Sequence, residues 1–434
     1  GSTAAGSGPG AASAGAGAGG PAASGGGTAT STTKPIKIGI VLTATSNAAA
    51  FGVSFGNTYS EQQVDDALIA GMNAQGGLAG RKIEPVYAKT DTGSNNWETD
   101  FSAACATFTQ DNHVEAVLGY VFNYFASFES CLAKQGIPHL NTGFNIPDKA
   151  ELKPFPLHEA LDVPTIDRRG LTKLDGAAAD GVITAKSRIG VLSDTCPGTQ
   201  NSLNGSFLPE AKRLGFTVAK NIAINCPNGQ SDAGTAASAI QSAVLQFASA
   251  GVDRVVFHAT SEGPPLLLFA VDAESQHYYP GYVVTSLANL SSLGAYFPAN
   301  QIKNIHGYGW MPSQDVPPSA YPPRNADQTR CLALMRAKAI TPTAGSDYYY
   351  AYNICEAFFV YEKAITATHG DGAGPRIVAA VKSLGTSFES LTNMGGSLFS
   401  PSLPDAPRSA RQLIFVGSCT CFAYTGPSRP IPPG

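Results

Sequence analysis

The residue pattern closest to a catalytic motif is the GxSxG match formed by Gly52, Ser54 and Gly56. In hydrolases this motif holds a serine nucleophile on a sharp turn that directly follows a strand. Here the preceding apolar run ends at Leu42, so the spacing predicts a loop before a helix instead of a nucleophile turn. A serine hydrolase built on Ser54 is the enzyme alternative that this motif leaves open.

The histidines and cysteines show none of the spacings that metal sites use. No HExxH, CxxC or mixed cysteine and histidine pattern occurs, and no P-loop, kinase motif or EF-hand loop is present. We therefore expect no metal, no cofactor and no catalytic centre. The histidines for which we predict structural roles are His113, His139, His158, His258, His277, His306 and His369.

Polar and aromatic side chains gather instead where apolar runs end. One run leads into residues 120–125 (YVFNYF), another into 141–145 (NTGFN), and a third into 260–263 (TSEG). In doubly wound sheets, ligands bind outside the carboxyl ends of the strands, near helix N-termini. The alternative is that the aromatic rings pack in the core and the Asn, Thr and Ser side chains cap helices. The pattern favours binding over catalysis.

The elements that would position these side chains alternate between strand and helix. Short apolar runs typical of buried parallel strands are followed by apolar residues at helical spacing, and this happens four times before the proline-rich residues 144–170. A second alternating block follows, up to another proline-rich stretch at 312–327. The predicted fold is α/β, with two doubly wound parallel sheets in two lobes over a hinge.

Composition excludes several classes of protein. The 434-residue chain has a formal charge of −4 and no run of Lys or Arg, which argues against nucleic acid as a partner. No apolar segment reaches the roughly 18 residues of a membrane span. Residues 1–34 consist almost entirely of Gly, Ala, Ser, Thr and Pro, so they predict a disordered tether.

The even number of cysteines leaves two interpretations open, disulfides and buried free thiols. We favour disulfides within lobes, because the rest of the chain has the features of an exported protein. Positions on neighbouring predicted elements favour pairing Cys105 with Cys131, Cys196 with Cys226, Cys331 with Cys355, and Cys419 with Cys421.

From Ile36 to about Thr425 the chain resembles the type 1 periplasmic-binding fold in its branched-chain amino-acid-binding family. Residues 37–42 (KIGIVL) and 70–83 (AGMNAQGGLAGRKI) carry most of the resemblance, since the second has the family's helix, NAxGGxxG turn and strand. Residues 188–194 (RIGVLSD) and 251–256 (GVDRVV) follow in the family's order and spacing.

The resemblance implies a solute-binding protein that serves a membrane ABC importer, exported to the periplasm or cell surface, lipid-anchored and monomeric. A ligand-sensing receptor domain of the same fold is the alternative. Three hinge segments would join the lobes. The implied boundaries are 35–157 plus 312–388 for lobe 1, 158–311 plus 389–426 for lobe 2, and 427–434 for a C-terminal tail.

The resemblance also implies a ligand held between the lobes, with closure around it. Thr142 keeps the family's hydroxyl for a ligand carboxylate, but no acid follows residues 281–285 to hold an ammonium group, and Glu262 is the nearest candidate. The ligand is therefore expected to be an amino acid or a small aromatic or apolar carboxylate. The predicted contacts are Phe55, Phe122, Asn123, Thr142 and Gly143 from lobe 1, Asp194, Thr260, Glu262 and Ser286 from lobe 2, and Trp310 and Tyr348 as walls of the cleft.

Overall fold

Apolar runs form two separate sheets in the computed structural model, which describes residues 34–44 and 56–434. The first sheet is parallel throughout, in the order β2-β1-β3-β4-β5. Ile36, Ile38 and Ile40 of β1 are all buried, as expected for a central strand covered on both faces. The strands of the first sheet are β1 (Ile36–Ala44), β2 (Ile83–Asp91), β3 (Ala116–Gly119), β4 (His139–Asn141) and β5 (His158–Ala160).

The second sheet has the order β12-β11-β10-β9-β8-β6-β7. Strands β6 to β10 are mutually parallel, whereas β11 pairs antiparallel with both β10 and β12. The sequence predicted a strand only at 413–416 here, and the hairpin that closes this edge was missed. Its strands are β6 (Arg188–Asp194), β7 (Thr217–Ile224), β8 (Arg254–His258), β9 (Gly281–Thr285), β10 (Ile305–Gly309), β11 (Ser409–Val416) and β12 (Cys421–Pro430).

Helices cover both faces of each sheet. Phe101, Phe108 and Phe128 pack on one face of the first sheet, and a larger cluster that includes Leu68 and Phe358 packs on the other. The doubly wound α/β fold predicted from the sequence is confirmed. The helices are α1 (Glu61–Ala74), α2 (Trp97–Ala106), α3 (Ala126–Lys134), α4 (Lys149–Leu152), α5 (Ile166–Ala179), α6 (Pro197–Ser202), α7 (Leu208–Arg213), α8 (Asp232–Ser249), α9 (Gly263–Ser275), α10 (Leu290–Leu293), α11 (Ala299–Ile302), α12 (Pro312–Asp315), α13 (Ala326–Arg336), α14 (Gly345–Ala367) and α15 (Gly374–Ser383).

The turn after α1 depends on its paired glycines. Gly76 and Gly77 have φ values of +107° and +74°. A Cβ on Gly77 would also lie 1.9 Å from the carbonyl oxygen of Arg81. Only glycine satisfies both requirements, so this turn fixes the passage from α1 to β2.

The chain crosses between the sheets three times. It leaves the first sheet after β5, returns after β10 to add α13, α14 and α15 to the first sheet, and leaves again before β11. Because β5 pairs with β4, the first sheet extends past the boundary predicted at residue 157. Strand β12 likewise extends to Pro430, into the predicted tail at 427–434. Residues 1–33 of the predicted tether lie outside the described residues.

The cysteines come together in the four predicted pairs. The Cα–Cα separations are 6.4 Å for Cys105 and Cys131, 4.7 Å for Cys196 and Cys226, 5.9 Å for Cys331 and Cys355, and 5.2 Å for Cys419 and Cys421. These separations suit disulfide bonds. Separately, none of the described helices is both long enough and apolar enough to cross a membrane.

Candidate functional site

The carboxyl ends of the parallel strands in the two sheets border one cleft, and loops from both sides close it. The loop after β2 meets the loop after β7 through two hydrogen bonds: Trp97 N–H donates to the Asn228 carbonyl at 2.9 Å, and Gln230 N–H donates to the Ser94 carbonyl at 2.8 Å. The strand ends on either side are therefore held close together, which is where ligands bind in doubly wound folds.

Four aromatic rings pack together beside the carboxyl ends of β3 and β4. Phe144, after β4, stacks on Tyr349 of α14 with a centroid distance of 5.2 Å and an interplanar angle of 6°. Tyr120, after β3, stands edge-on to Phe144 at 5.6 Å and to Tyr350 at 6.3 Å. We call Tyr120, Phe144, Tyr349 and Tyr350 the aromatic cluster. Such rings offer flat apolar surface with polar edges.

Two polar side chains beside this cluster have an atom without a hydrogen-bond partner in the described chain. The Oγ1 of Thr142 has none, although the residue is fully buried and its own carbonyl accepts from Asn353 Nδ2 at 3.2 Å. The Oδ1 of Asn145 has none either. Buried polar atoms are normally satisfied, so these two are candidates for ligand contacts.

Arg169 of α5 is buried, and its guanidinium reaches the loop after β4. Its Nη2 donates to the Ile146 carbonyl at 3.3 Å, while Nε and Nη1 have no partner among residues 34–44 and 56–434. Burial lowers the pKa of this guanidinium to about 10, and the charges of Glu262 and Asp194 oppose that effect. The side chain stays charged at neutral pH, with N–H groups of the kind that bind a carboxylate in a bidentate manner.

Two acidic side chains predicted to contact the ligand, Glu262 and Asp194, have their partners within the second lobe. Glu262 accepts from Lys173 Nζ at 2.7 Å through one oxygen, and from Thr285 N–H at 2.6 Å through the other. Asp194 accepts from both the N–H and the hydroxyl of Thr260, at 2.6 and 2.8 Å. The structure thus gives Glu262, Asp194 and Thr260 partners that hold the loops after β6, β8 and β9 together.

No protein-family model and no curated protein matches the sequence. Among solved structures, the chain is similar to a solute-binding protein from Rhodopseudomonas palustris HaA2 in complex with p-hydroxybenzoic acid, at 14% identity and a TM-score of 0.68, over 92% of this chain and 98% of that one. It is also similar to an ABC transporter substrate-binding protein from Desulfitobacterium hafniense in complex with Leu, at 15% identity and a TM-score of 0.60, over 90% of this chain and 100% of that one. An extracellular ligand-binding receptor from R. palustris HaA2 matches at 14% identity and a TM-score of 0.64, over 91% of this chain and 100% of that one.

The chain has the type 1 periplasmic-binding fold. The match covers nearly the full length of each solved structure, so both lobes and the cleft between them belong to this fold. Arg169 belongs to the second lobe of this fold, and the aromatic cluster to the first.

Among the residues predicted to contact ligand, Phe122 lies in the core of the first lobe of this fold. Its ring packs edge-to-face on Trp97 with a centroid distance of 5.2 Å, and against Phe101 at 5.5 Å. The ring is 8% exposed. Phe55, also predicted to contact the ligand, lies outside the described residues.

The remaining predicted residues of the first lobe help to shape its loops. Asn123 Oδ1 accepts from Asn145 Nδ2 at 3.1 Å, which joins the loops after β3 and β4. A Cβ on Gly143 would lie 1.9 Å from the Val121 carbonyl oxygen, so a glycine is needed where these loops touch. Both residues hold Thr142 in place.

Ser286 and Trp310 sit where the second lobe joins the hinge. The Ser286 hydroxyl donates to Asp315 at 2.9 Å and accepts from Trp310 N–H at 2.9 Å. Trp310 is fully buried, and its Nε1 donates to the Asp162 carbonyl in the first hinge segment at 2.8 Å. It packs in the apolar cluster that includes Tyr349. Trp310 therefore packs in the core beside the hinge, and its role as a wall of the cleft stays a prediction.

Tyr348 is partly exposed, and its contacts include residues outside the aromatic cluster. Its hydroxyl accepts from Arg324 Nη2 at 3.0 Å, and its ring lies 5.6 Å from that of Tyr321. Both partners belong to the second hinge segment. Tyr348 thus links α14 to that segment.

Sequence reasoning named neither Arg169 nor any of the four aromatic rings as contacts. Tyr120 and Phe144 do follow strand ends, so the pattern that singled out residues 120–125 and 141–145 contained them. Tyr349 and Tyr350 lie near the start of a long helix, where core packing is the usual explanation. Nothing in the sequence around Arg169 indicates that its guanidinium keeps free N–H groups.

Proposed function

We propose that this chain is an exported solute-binding protein that captures a small aromatic carboxylate between its lobes for an ABC importer. The observation that carries the proposal is a buried arginine of the second lobe near the aromatic cluster of the first. Ile146 connects the two, since its side chain belongs to the same apolar cluster as Tyr349 and its carbonyl accepts from Arg169.

The arginine supports a carboxylate on the ligand. A guanidinium presents parallel N–H donors that match the two oxygens of a carboxylate, and charge-assisted bonds of this kind are about twice as strong as neutral ones. Burial strengthens the interaction because water does not compete inside the closed cleft. Thr142 Oγ1 and Asn145 Oδ1 would complete the polar contacts.

The aromatic cluster supports a ring on the ligand. The stacked pair of Phe144 and Tyr349, with Tyr120 edge-on to it, offers a flat face and the edge geometry that aromatic pairs favour. A solved protein of this fold binds p-hydroxybenzoic acid, a ligand that has both a ring and a carboxylate. Contacts from both lobes would supply the differential affinity that favours the closed state.

An α-amino acid is the second candidate, and the carboxyl group of Asp162 is what favours it. Both oxygens of this fully buried carboxyl lack a partner from another residue in the described chain, and an ammonium group could pair with them. However, burial raises the pKa of Asp162 well above its usual range, and Glu356 adds to that effect. A neutral carboxyl suits a ligand hydroxyl better than an ammonium group.

A solute-binding protein that serves an importer works outside the cytoplasm, so the proposed role implies an exported location. Disulfides within the lobes fit that location, and free-thiol labelling of the denatured, unreduced protein should detect no reactive thiols. A lipid anchor preceding the tether would keep the protein at the membrane. A receptor domain of the same fold remains the alternative, and the neighbouring genes separate the two, since an importer requires permease and ATPase genes.

A thermal-shift screen tests the proposal, because a ligand that binds only the folded state raises the melting temperature. Benzoate and 4-hydroxybenzoate should raise it, whereas benzamide, the matched neutral isostere of benzoate, should not. Small-angle scattering should then show a smaller radius of gyration with the active ligand. Shifts with leucine or phenylalanine alone would replace the proposal with amino-acid binding, and no shift with any of these compounds would contradict both.

A further inference from the structure

Three buried side chains able to bind a metal converge at the far end of the first sheet from the cleft. His139 begins β4 and His158 begins β5, and the two residues are direct partners in the parallel register of these strands. Glu129 reaches them from α3, which packs over the sheet. The ligand cleft lies at the opposite ends of the same strands, beyond Asn141, so the two sites are separate.

The three side chains form one tight constellation. Glu129 Oε1 lies 2.8 Å from His139 Nδ1, and Glu129 Oε2 lies 3.2 Å from His158 Nδ1. One ligand atom from each residue can be chosen so that all three lie within 4.8 Å of one another. The ligands of a four-coordinate zinc ion are separated by about 3.3 Å, given bonds of about 2.0 Å. Small side-chain rotations would bring these atoms to that spacing.

The burial of this constellation calls for a compensating charge. Glu129, His139 and His158 are 4%, 1% and 4% exposed. Within the described chain, the only ion-pairing partners of Glu129 are these two imidazoles, with no Lys or Arg among them. The Nε2 atoms of both histidines also lack partners in the described residues. A buried carboxylate is costly unless a proton or a cation neutralises it.

We propose that Glu129, His139 and His158 form a structural binding site for a divalent transition metal of the zinc type. Two imidazoles and one carboxylate suit Zn²⁺, Co²⁺ or Ni²⁺, whereas Ca²⁺ and Mg²⁺ favour sets made only of oxygen ligands. The ion would take the place of the protons that the imidazoles share with Glu129. It would fasten β5, the edge strand from which the first hinge segment leaves, to β4 and α3.

The sequence did not indicate this site, because its three residues are not in a recognised spacing. His139 and His158 are neighbours only because β4 and β5 pair in this register. The competing explanation is a metal-free network in which the glutamate accepts hydrogen bonds from both histidines. That network requires no ion, so metal content separates the two explanations.

The test uses the full chain without a histidine tag, stripped of metal with a chelator. Isothermal titration with Zn²⁺ should show one tight site, and Co²⁺ should give visible absorption bands of a tetrahedral complex. Glu129→Gln, which keeps the shape of the side chain and a carbonyl acceptor, should weaken Zn²⁺ binding by more than about tenfold. His277→Gln, which removes an exposed histidine, should leave it unchanged.

Zn²⁺ should also raise the melting temperature of the wild type and of His277→Gln, but not that of Glu129→Gln. Circular dichroism establishes that each variant is folded, and His158→Gln provides a second variant if Glu129→Gln does not fold. The absence of a stoichiometric Zn²⁺ site in the folded wild type would overturn the proposal. Equal Zn²⁺ affinity in the wild type and in a folded variant of the constellation would overturn it too.

Discussion

On the side of the first sheet, stacked rings lie beside Thr142 and Asn145, each of which has a polar atom without a partner among the described residues. On the side of the second sheet, the acids Glu262 and Asp194 are fully occupied by Lys173 and by hydroxyl and backbone donors. Residues that look alike in sequence thus have different roles. In the first lobe, polar atoms of Thr142 and Asn145 are available to a ligand. In the second lobe, Glu262 and Asp194 bind that lobe's own loops, and Arg169 is its proposed contribution to the site.

The largest effect that would sharpen this contrast is the loss of stability in Glu262→Gln. The change leaves Lys173 buried beside a neutral partner, so the free energy of unfolding should fall by about 3–5 kcal/mol in urea titrations. The exposed Glu84→Gln is the control and should change stability little. If Glu262→Gln kept its stability but lost ligand binding, Glu262 would be a ligand contact and the contrast would fail.

Two phenylalanines of the first lobe provide a matched comparison between core and cleft. Phe122→Ala should cost about 3–5 kcal/mol of stability, because the ring packs on Trp97 and Phe101. Phe144→Ala should instead weaken the binding of 4-hydroxybenzoate by about tenfold, through lost stacking. Calorimetric titration and urea unfolding of both variants measure these effects. A loss of affinity in Phe122→Ala without a loss of stability would mean that Phe122 contacts the ligand and does not belong to the core.

The smallest effect concerns the hydroxyl of Thr142. Thr142→Val removes a buried polar atom that has no partner among the described residues, so the free energy of unfolding should not fall. The free energy of ligand binding should become less favourable by about 1–3 kcal/mol. In the control Thr172→Val, a hydroxyl that donates to the Arg168 carbonyl at 2.7 Å is lost, so stability should fall and affinity should not. A stable Thr142→Val variant with unchanged affinity would remove Thr142 from the site.

Local patterns made much of the fold predictable. Buried parallel strands are short apolar runs, and the ends of β3 and β4 could be located because polar and aromatic residues follow them. The partners of Glu262 could not be located, because Lys173 is 89 residues away and nothing local indicates the pairing. The same holds for His139 beside His158 and for Arg169 beside Ile146. Strand register and hinge path decide these contacts, and both depend on the whole chain.

The central claim is that Arg169 and the aromatic cluster together select an aromatic carboxylate, and calorimetric titration of 4-hydroxybenzoate against 4-hydroxybenzamide tests it most directly. The wild type should bind the acid at least about tenfold more tightly than the amide, since a charge-assisted hydrogen bond contributes about 1.5–3 kcal/mol. Arg169→Met should abolish that preference, whereas Arg213→Met, which alters an exposed arginine of α7, should retain it. Equal binding of acid and amide by the wild type, or an undiminished preference in Arg169→Met, would contradict the claim.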